Sequence, residues 1–196
     1  MDLMKLIKLI KLLKLLKLMR CRVKYFLLQV DKECNNAPVI RDWYNTFKKH
    51  NIEMDKFGEI ADSLHMELQP NPNMIFTGII THPELLFHVD IYNVLEMYIP
   101  GLPSVKITLL DRKNDIGQLY HLTWLRKIPC LSNKSVLGKE PRKYEKLVLE
   151  KTKIQEHKMF FPAEHEGTEP IVSLDVAESI LRRNSRGLNL VELEVV

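Results

Sequence analysis

With 196 residues, 45% of them hydrophobic and 28% charged, the chain has the composition of one globular domain of about 150 residues plus appendages, which excludes collagen-like, mucin-like and fully disordered organisations. Its three cysteines, Cys21, Cys34 and Cys130, have no C-x-x-C spacing, so no disulfide framework or zinc ribbon is written here, and an intracellular, reducing compartment is expected. The net charge of +4 belongs to a tail: residues 1–24 carry +7 and the remainder −3, so nothing in the body calls for nucleic acid.

Residues 1–20 form a low-complexity basic and apolar tail, in which one cation and two apolar residues repeat from Lys5 to Arg20. The runs of apolar residues are too short for a secretory signal or a membrane span. At about 100° per residue, steps of three make the cations spiral around a helix, so no single apolar face persists over the full stretch. Any two turns remain locally amphipathic. Binding to an anionic membrane surface through Lys5, Lys8, Lys11, Lys14 and Lys17 is therefore open, as is an acid-poor mitochondrial presequence, although the serines such presequences favour are missing. The plain alternative is a solvated, partly helical extension.

Residues 21–70 read as a small αβ extension. Val23 to Val30 is aromatic and β-branched and predicts a strand. Asn36 as a cap, with Pro38 in the first turn, predicts a helix carrying Ile40, Trp43, Tyr44 and Phe47. A second helix is predicted from Met54 to Leu68, ended by Pro70-Asn71-Pro72-Asn73. Beyond that boundary, Met74 to Thr77 predicts a strand leading to Gly78, Glu84 to Met97 a helix, and Val105 to Leu110 a second strand ending at Asp111. Strand, crossover helix and strand within about 40 residues have the size of one right-handed parallel βαβ unit.

In such a unit a glycine after the first strand lets the backbone approach a pyrophosphate at the helix N-terminus, and an acid ending the second strand accepts from ribose hydroxyls. Gly78 and Asp111 stand at those places. The stretch from Asn71-Pro72 to Asp111, with Ile75-Phe76-Thr77-Gly78 at its front and Val105-Lys106-Ile107-Thr108-Leu109-Leu110-Asp111 at its back, resembles the first βαβ unit of the malate dehydrogenase family within the lactate/malate dehydrogenase superfamily. The similarity is greatest to the divergent 1B type, which also has an N-terminal extension. The resemblance implies an α/β fold: a partial Rossmann-like parallel sheet over residues 71–196, preceded by the small αβ extension and a basic N-terminal helix.

It further implies NAD as cofactor, with Gly78 and Thr81 near the pyrophosphate and Asp111 on the adenosine ribose, and hydride transfer to or from a 2-hydroxy dicarboxylate. The family's Gly-x-x-Gly-x-x-Ala falls on Gly78, Thr81 and Glu84, so one glycine is kept; the Cβ of Thr81 and the charge of Glu84 both oppose anion binding. After Asp111 only 85 residues follow, without a match to the family's His base or substrate-clamping Arg residues, so no catalytic residue is assigned. The expectation is a truncated, catalytically inactive malate dehydrogenase-like protein of the cytoplasm, or else of the mitochondrion. The alternative is a non-catalytic interaction protein or a peripheral membrane binder. A homo-oligomer is compatible with either.

Downstream, the resemblance implies a helix with a small-residue start, placed at Gly117 to Leu125; the residues themselves predict a charged surface helix from Lys139 to Lys158 and a loop over Phe160-Phe161-Pro162. A helix opened by Ser173 or Asp175, a basic turn from Arg182 to Gly187 and a strand from Leu188 complete the chain. Two loose metal-ligand patterns occur. His82-Pro83-Glu84 with Pro129-Cys130 mimics a zinc deaminase signature but has Asn133 where the second Cys belongs. His157, Glu164, His165 and Glu166 fit no ligand spacing, so no metal site is assigned.

Overall fold

The long strands form where apolar and polar residues alternate, because a sheet with one packed face selects for period two. The structure, a computed structural model, describes residues 24–47, 57–138, 144–164, 167–183 and 185–196. In chain order it contains β1 (Tyr25–Val30), α1 (Trp43–Thr46), β2 (Ser63–Glu67), β3 (Ile79–Ile80), β4 (Leu86–His88), α2 (Val89–Tyr98), β5 (Ser104–Asp111) and β6 (Ile116–Thr123). There follow β7 (Lys127–Ile128), β8 (Val136–Leu137), β9 (Tyr144–Lys146), β10 (Val148–Leu149), α3 (Lys151–Ile154), β11 (Met159–Pro162), β12 (Ile171–Ser173), α4 (Leu174–Leu181) and β13 (Leu188–Val195).

These strands build two mixed sheets and a small hairpin of β8 with β9. One sheet has the order β10-β13-β1-β12-β11-β7 and the other β2-β5-β6-β4-β3. Among the described residues, parallel pairing is confined to β2 with β5, β7 with β11, and β10 with β13, and every other pair is antiparallel. A shared core of Leu28, Ile79, Phe87, Ile91, Leu95, Val172, Val176 and Ile180 joins the two sheets through α2 and α4, which pack on each other. A second core, with Trp43, Phe47 and Phe57 over Ile107, Leu109 and Tyr120, covers the other face of the five-stranded sheet. A third, around Phe160, Cys130 and Ile154, covers the six-stranded sheet. Among the described residues no helix is long and apolar enough to cross a membrane.

This topology corrects the expected Rossmann-like parallel sheet. The segment before Gly78 is not a strand, and β3, just after it, lies at the sheet edge with β4 and β6 between it and β5. Three successive antiparallel pairings make β3 run opposite to β5. The parallel neighbour of β5 is instead β2, in the register Ser63↔Lys106 to Glu67↔Leu110. The supposed βαβ unit is therefore two antiparallel hairpins, β3–β4 and β5–β6, linked by α2.

Several local readings change with it. The expected helix ending at Leu68 closes as strand β2, because Leu64 and Met66 face the core while Ser63, His65 and Glu67 do not. The stretch after Gly117 is β6, which completes the hairpin across the turn at Arg112–Asp115. The charged stretch ending at Lys158 breaks into β9, β10 and α3, with residues 139–143 outside the described part, and the Phe160–Pro162 loop lies in β11. The first strand, β5, the helix after Ser173 and the last strand form as expected.

Candidate functional site

Gly78 does not adjoin a helix N-terminus. Its N–H donates to the Arg186 carbonyl at 2.9 Å, and its carbonyl accepts from the His88 N–H at 2.9 Å. A Cβ added there would lie 3.0 Å from the Ser185 Cβ and 3.1 Å from a Leu188 methyl. The close approach that requires glycine is thus to the chain's own last strand rather than to a phosphate. Thr81 follows β3, and α2 begins only at Val89, where the His88 ring nitrogen accepts from the Asp90 N–H and Asp90 occupies the first turn. The helix start is already supplied with an acceptor and an acid.

Asp111 is 1% exposed, and its carboxylate is occupied. It accepts from the N–H groups of Asn71 (3.0 Å), Lys113 (3.1 Å) and Asn114 (3.2 Å) and from the Asn114 side-chain amide (2.7 Å). Burial works to raise its pKa, but the hydrogen bonds from Asn114, Asn71 and Lys113 favour the charged form more, and the net shift is downward. The residue ties the β5–β6 turn to the loop after β2. Asp111→Ala is therefore expected to lower Tm by roughly 5 °C or more, because several N–H groups lose their acceptor. A thermal melt checks this, and an unchanged melt would restore Asp111 as a free acid.

A second polar cluster lies under α2. His121 of β6 is 4% exposed and stacks on the Tyr92 ring, centroids 3.8 Å apart and planes within 2°, while its Nδ1 is 3.3 Å from the Ser104 hydroxyl. Burial first, and Lys106 second, push its pKa down to about 4. A serine beside a histidine suggests nucleophilic catalysis, but so weak a base, with its ring face covered by Tyr92, is a poor proton acceptor near neutrality. Thr123, paired with Ser104 across the strands, keeps a buried hydroxyl without a partner among the described residues. The cluster reads as packing between sheet and helix.

The open site lies elsewhere. Residues 39–41 run beside the end of β2: Ile40 bridges Leu68, the Arg41 N–H donates to the Glu67 carbonyl at 2.9 Å, and the Gln69 N–H donates to the Val39 carbonyl at 2.8 Å. This fixes one wall of a groove of about 490 Å³, completed by α1 and by His82–Pro83. Trp43 is buried and stacks on Phe47, centroids 4.4 Å apart. Tyr44 and Val39 line the same groove with 70% and 51% of their surface exposed. Asp42, the carboxylate among the lining residues, is held at φ 51°, an αL conformation that Asp tolerates better than most residues.

Sequence reasoning placed Tyr44 with Trp43 on one apolar face. Trp43 and Phe47, four residues apart, share the core-facing side of α1, and Tyr44, about 100° round from Trp43, is left on the open side. The signal for the exposed aromatic was present in that spacing; the approach of His82–Pro83 was not. Cys130 is buried, and burial followed by Glu164 pushes its thiol up to about 12, which makes it a packing residue. Among the described residues no three His, Cys, Asp or Glu side chains gather to hold a metal ion. Lys5, Lys8, Lys11, Lys14, Lys17, His165 and Glu166 lie outside the described residues. No family model matches the chain, and no curated protein matches it.

Proposed function

We propose that the chain is a non-catalytic interaction protein that takes a short partner segment in the groove between residues 38–45 and His82–Pro83. The observation that carries this reading is the exposure of Tyr44 and Val39 on a concave surface whose backbone is pinned to a sheet edge. Exposed aromatic side chains on a fixed frame lose little entropy on binding and are typical anchors of recognition. A non-glycine αL residue at the same place, Asp42, is the kind of backbone outlier that gathers at functional sites. The groove's chemistry selects an apolar or aromatic side chain for the Pro38, Val39 and Tyr44 surface, next to a Lys or Arg for Asp42.

Selection of displayed random peptides on the full chain tests this. Enriched sequences should share an apolar residue beside a basic one, and Tyr44→Ala and Asp42→Asn, the latter keeping a side chain that tolerates αL while removing the charge, should each weaken the best peptide about 10-fold without moving Tm. Peptides insensitive to both changes would overturn the assignment. Saturable binding of NADH, weakened by Thr81→Glu at an unchanged melting temperature, would favour the dehydrogenase-derived reading instead.

A further inference from the structure

A second cavity, of about 420 Å³, opens where the loop between α2 and β5 meets the β6–β7 link and the segment before β11. Its walls are preset by backbone hydrogen bonds. The Trp124 N–H donates to the Pro103 carbonyl at 3.1 Å, and the Phe161 N–H donates to the Arg126 carbonyl at 3.0 Å. The Tyr25 hydroxyl, buried and with its pKa raised to about 12 by that burial first and Asp175 second, donates to the carbonyls of Ile154 (2.6 Å) and His157 (2.8 Å) and so anchors the third wall. Leu102, Leu125 and Met159 are buried apolar members of the lining, and Trp124 is half-buried.

The charged groups of the lining are unequal. Lys158 is already paired with Asp175, and Glu156 is the single acid among the described residues of the lining. Arg126 is exposed and makes no ion pair among the described residues. A preformed cavity with apolar and aromatic walls and one uncommitted guanidinium has the makeup of a site for a small amphipathic ligand. A guanidinium recognises a carboxylate through two parallel charge-assisted hydrogen bonds, which a neutral polar group cannot replace. We propose that this cavity binds a small aromatic carboxylate, the ring against Trp124, Leu102 and Met159 and the carboxylate on Arg126. This site is separate from the peptide groove and does not depend on it.

Calorimetric titration of the full chain with naphthalene-2-carboxylate, and in parallel with the neutral naphthalene-2-methanol, tests the proposal. The carboxylate is expected to bind about 10-fold more tightly than the alcohol, and Arg126→Ala to abolish that preference while leaving Tm unchanged. The exposed Arg183→Ala serves as control and should keep the preference. Absence of binding up to millimolar carboxylate, equal affinity for the two probes, or an undiminished preference in Arg126→Ala would each overturn it.

Discussion

Gly187→Ala is expected to destabilise the protein by about 3 kcal/mol, lowering Tm by roughly 10 °C. Two penalties add at this position. Gly187 has φ +67°, a left-handed conformation that costs a Cβ-bearing residue about 1 kcal/mol or more. A Cβ there would also lie 2.5 Å from the Thr77 Cγ2 and 3.1 Å from its Cβ. Thr77 cannot yield easily, since it is fully buried, its hydroxyl donates to the Ile79 carbonyl at 2.6 Å, and its carbonyl accepts from the Tyr120 hydroxyl at 2.6 Å. Gly101→Ala separates the two terms: φ is +74° but nothing lies within 4 Å of the added Cβ, so only the backbone cost of about 1 kcal/mol remains. Equal melting temperatures for the two variants would mean that the contact between Gly187 and Thr77 is looser than described.

The second large effect is a loss of stability in mild acid traceable to His121. Its pKa in the folded protein is pushed down to about 4, against an ordinary value of 6.5, because the buried imidazolium would lose its water and face Lys106. The unfolded chain therefore takes up a proton before the folded one does. The stabilisation is fully present above pH 6.5 and is lost as pH falls towards 4, at up to about 1.4 kcal/mol per pH unit. Denaturant titrations of wild type and His121→Phe should diverge over this window, with the Phe variant showing the flatter profile. Phe keeps a ring against Tyr92 and carries no proton. Parallel profiles would place the acid sensitivity in other groups.

Locally decided elements could be read directly. Tyr25 to Val30 and Leu188 to Val195 alternate or concentrate β-formers, Pro70 to Asn73 stops one segment, and Ser173 stands at the start of α4 with Asp175 in its first turn, because dihedral preference, turn chemistry and the helix dipole act within a few residues. Leu64, Met66 and Leu68 also carried period two, although a helical spacing through Phe57, Ile60 and Leu64 competed with it. What decided for the strand was a neighbour distant in sequence: β2 pairs along its whole length with β5. Likewise, the residues from Gly117 onward form a strand because β5 offers a complete ladder from Ser104↔Thr123 to Asp111↔Ile116.

The same distinction governs the sites. Composition, the charged repeat of the tail, the Asp at the end of β5 and the glycine at position 78 are properties of the amino-acid string. Whether Asp111 faces a ribose or its own turn, and whether Gly78 approaches a phosphate or Leu188, depends on which strands lie side by side. That choice is made by burial of apolar faces from segments far apart in sequence, so it appears only in the folded chain. The open groove at Tyr44 belongs to the same category, since β2 and the His82–Pro83 turn must first be brought to either side of it.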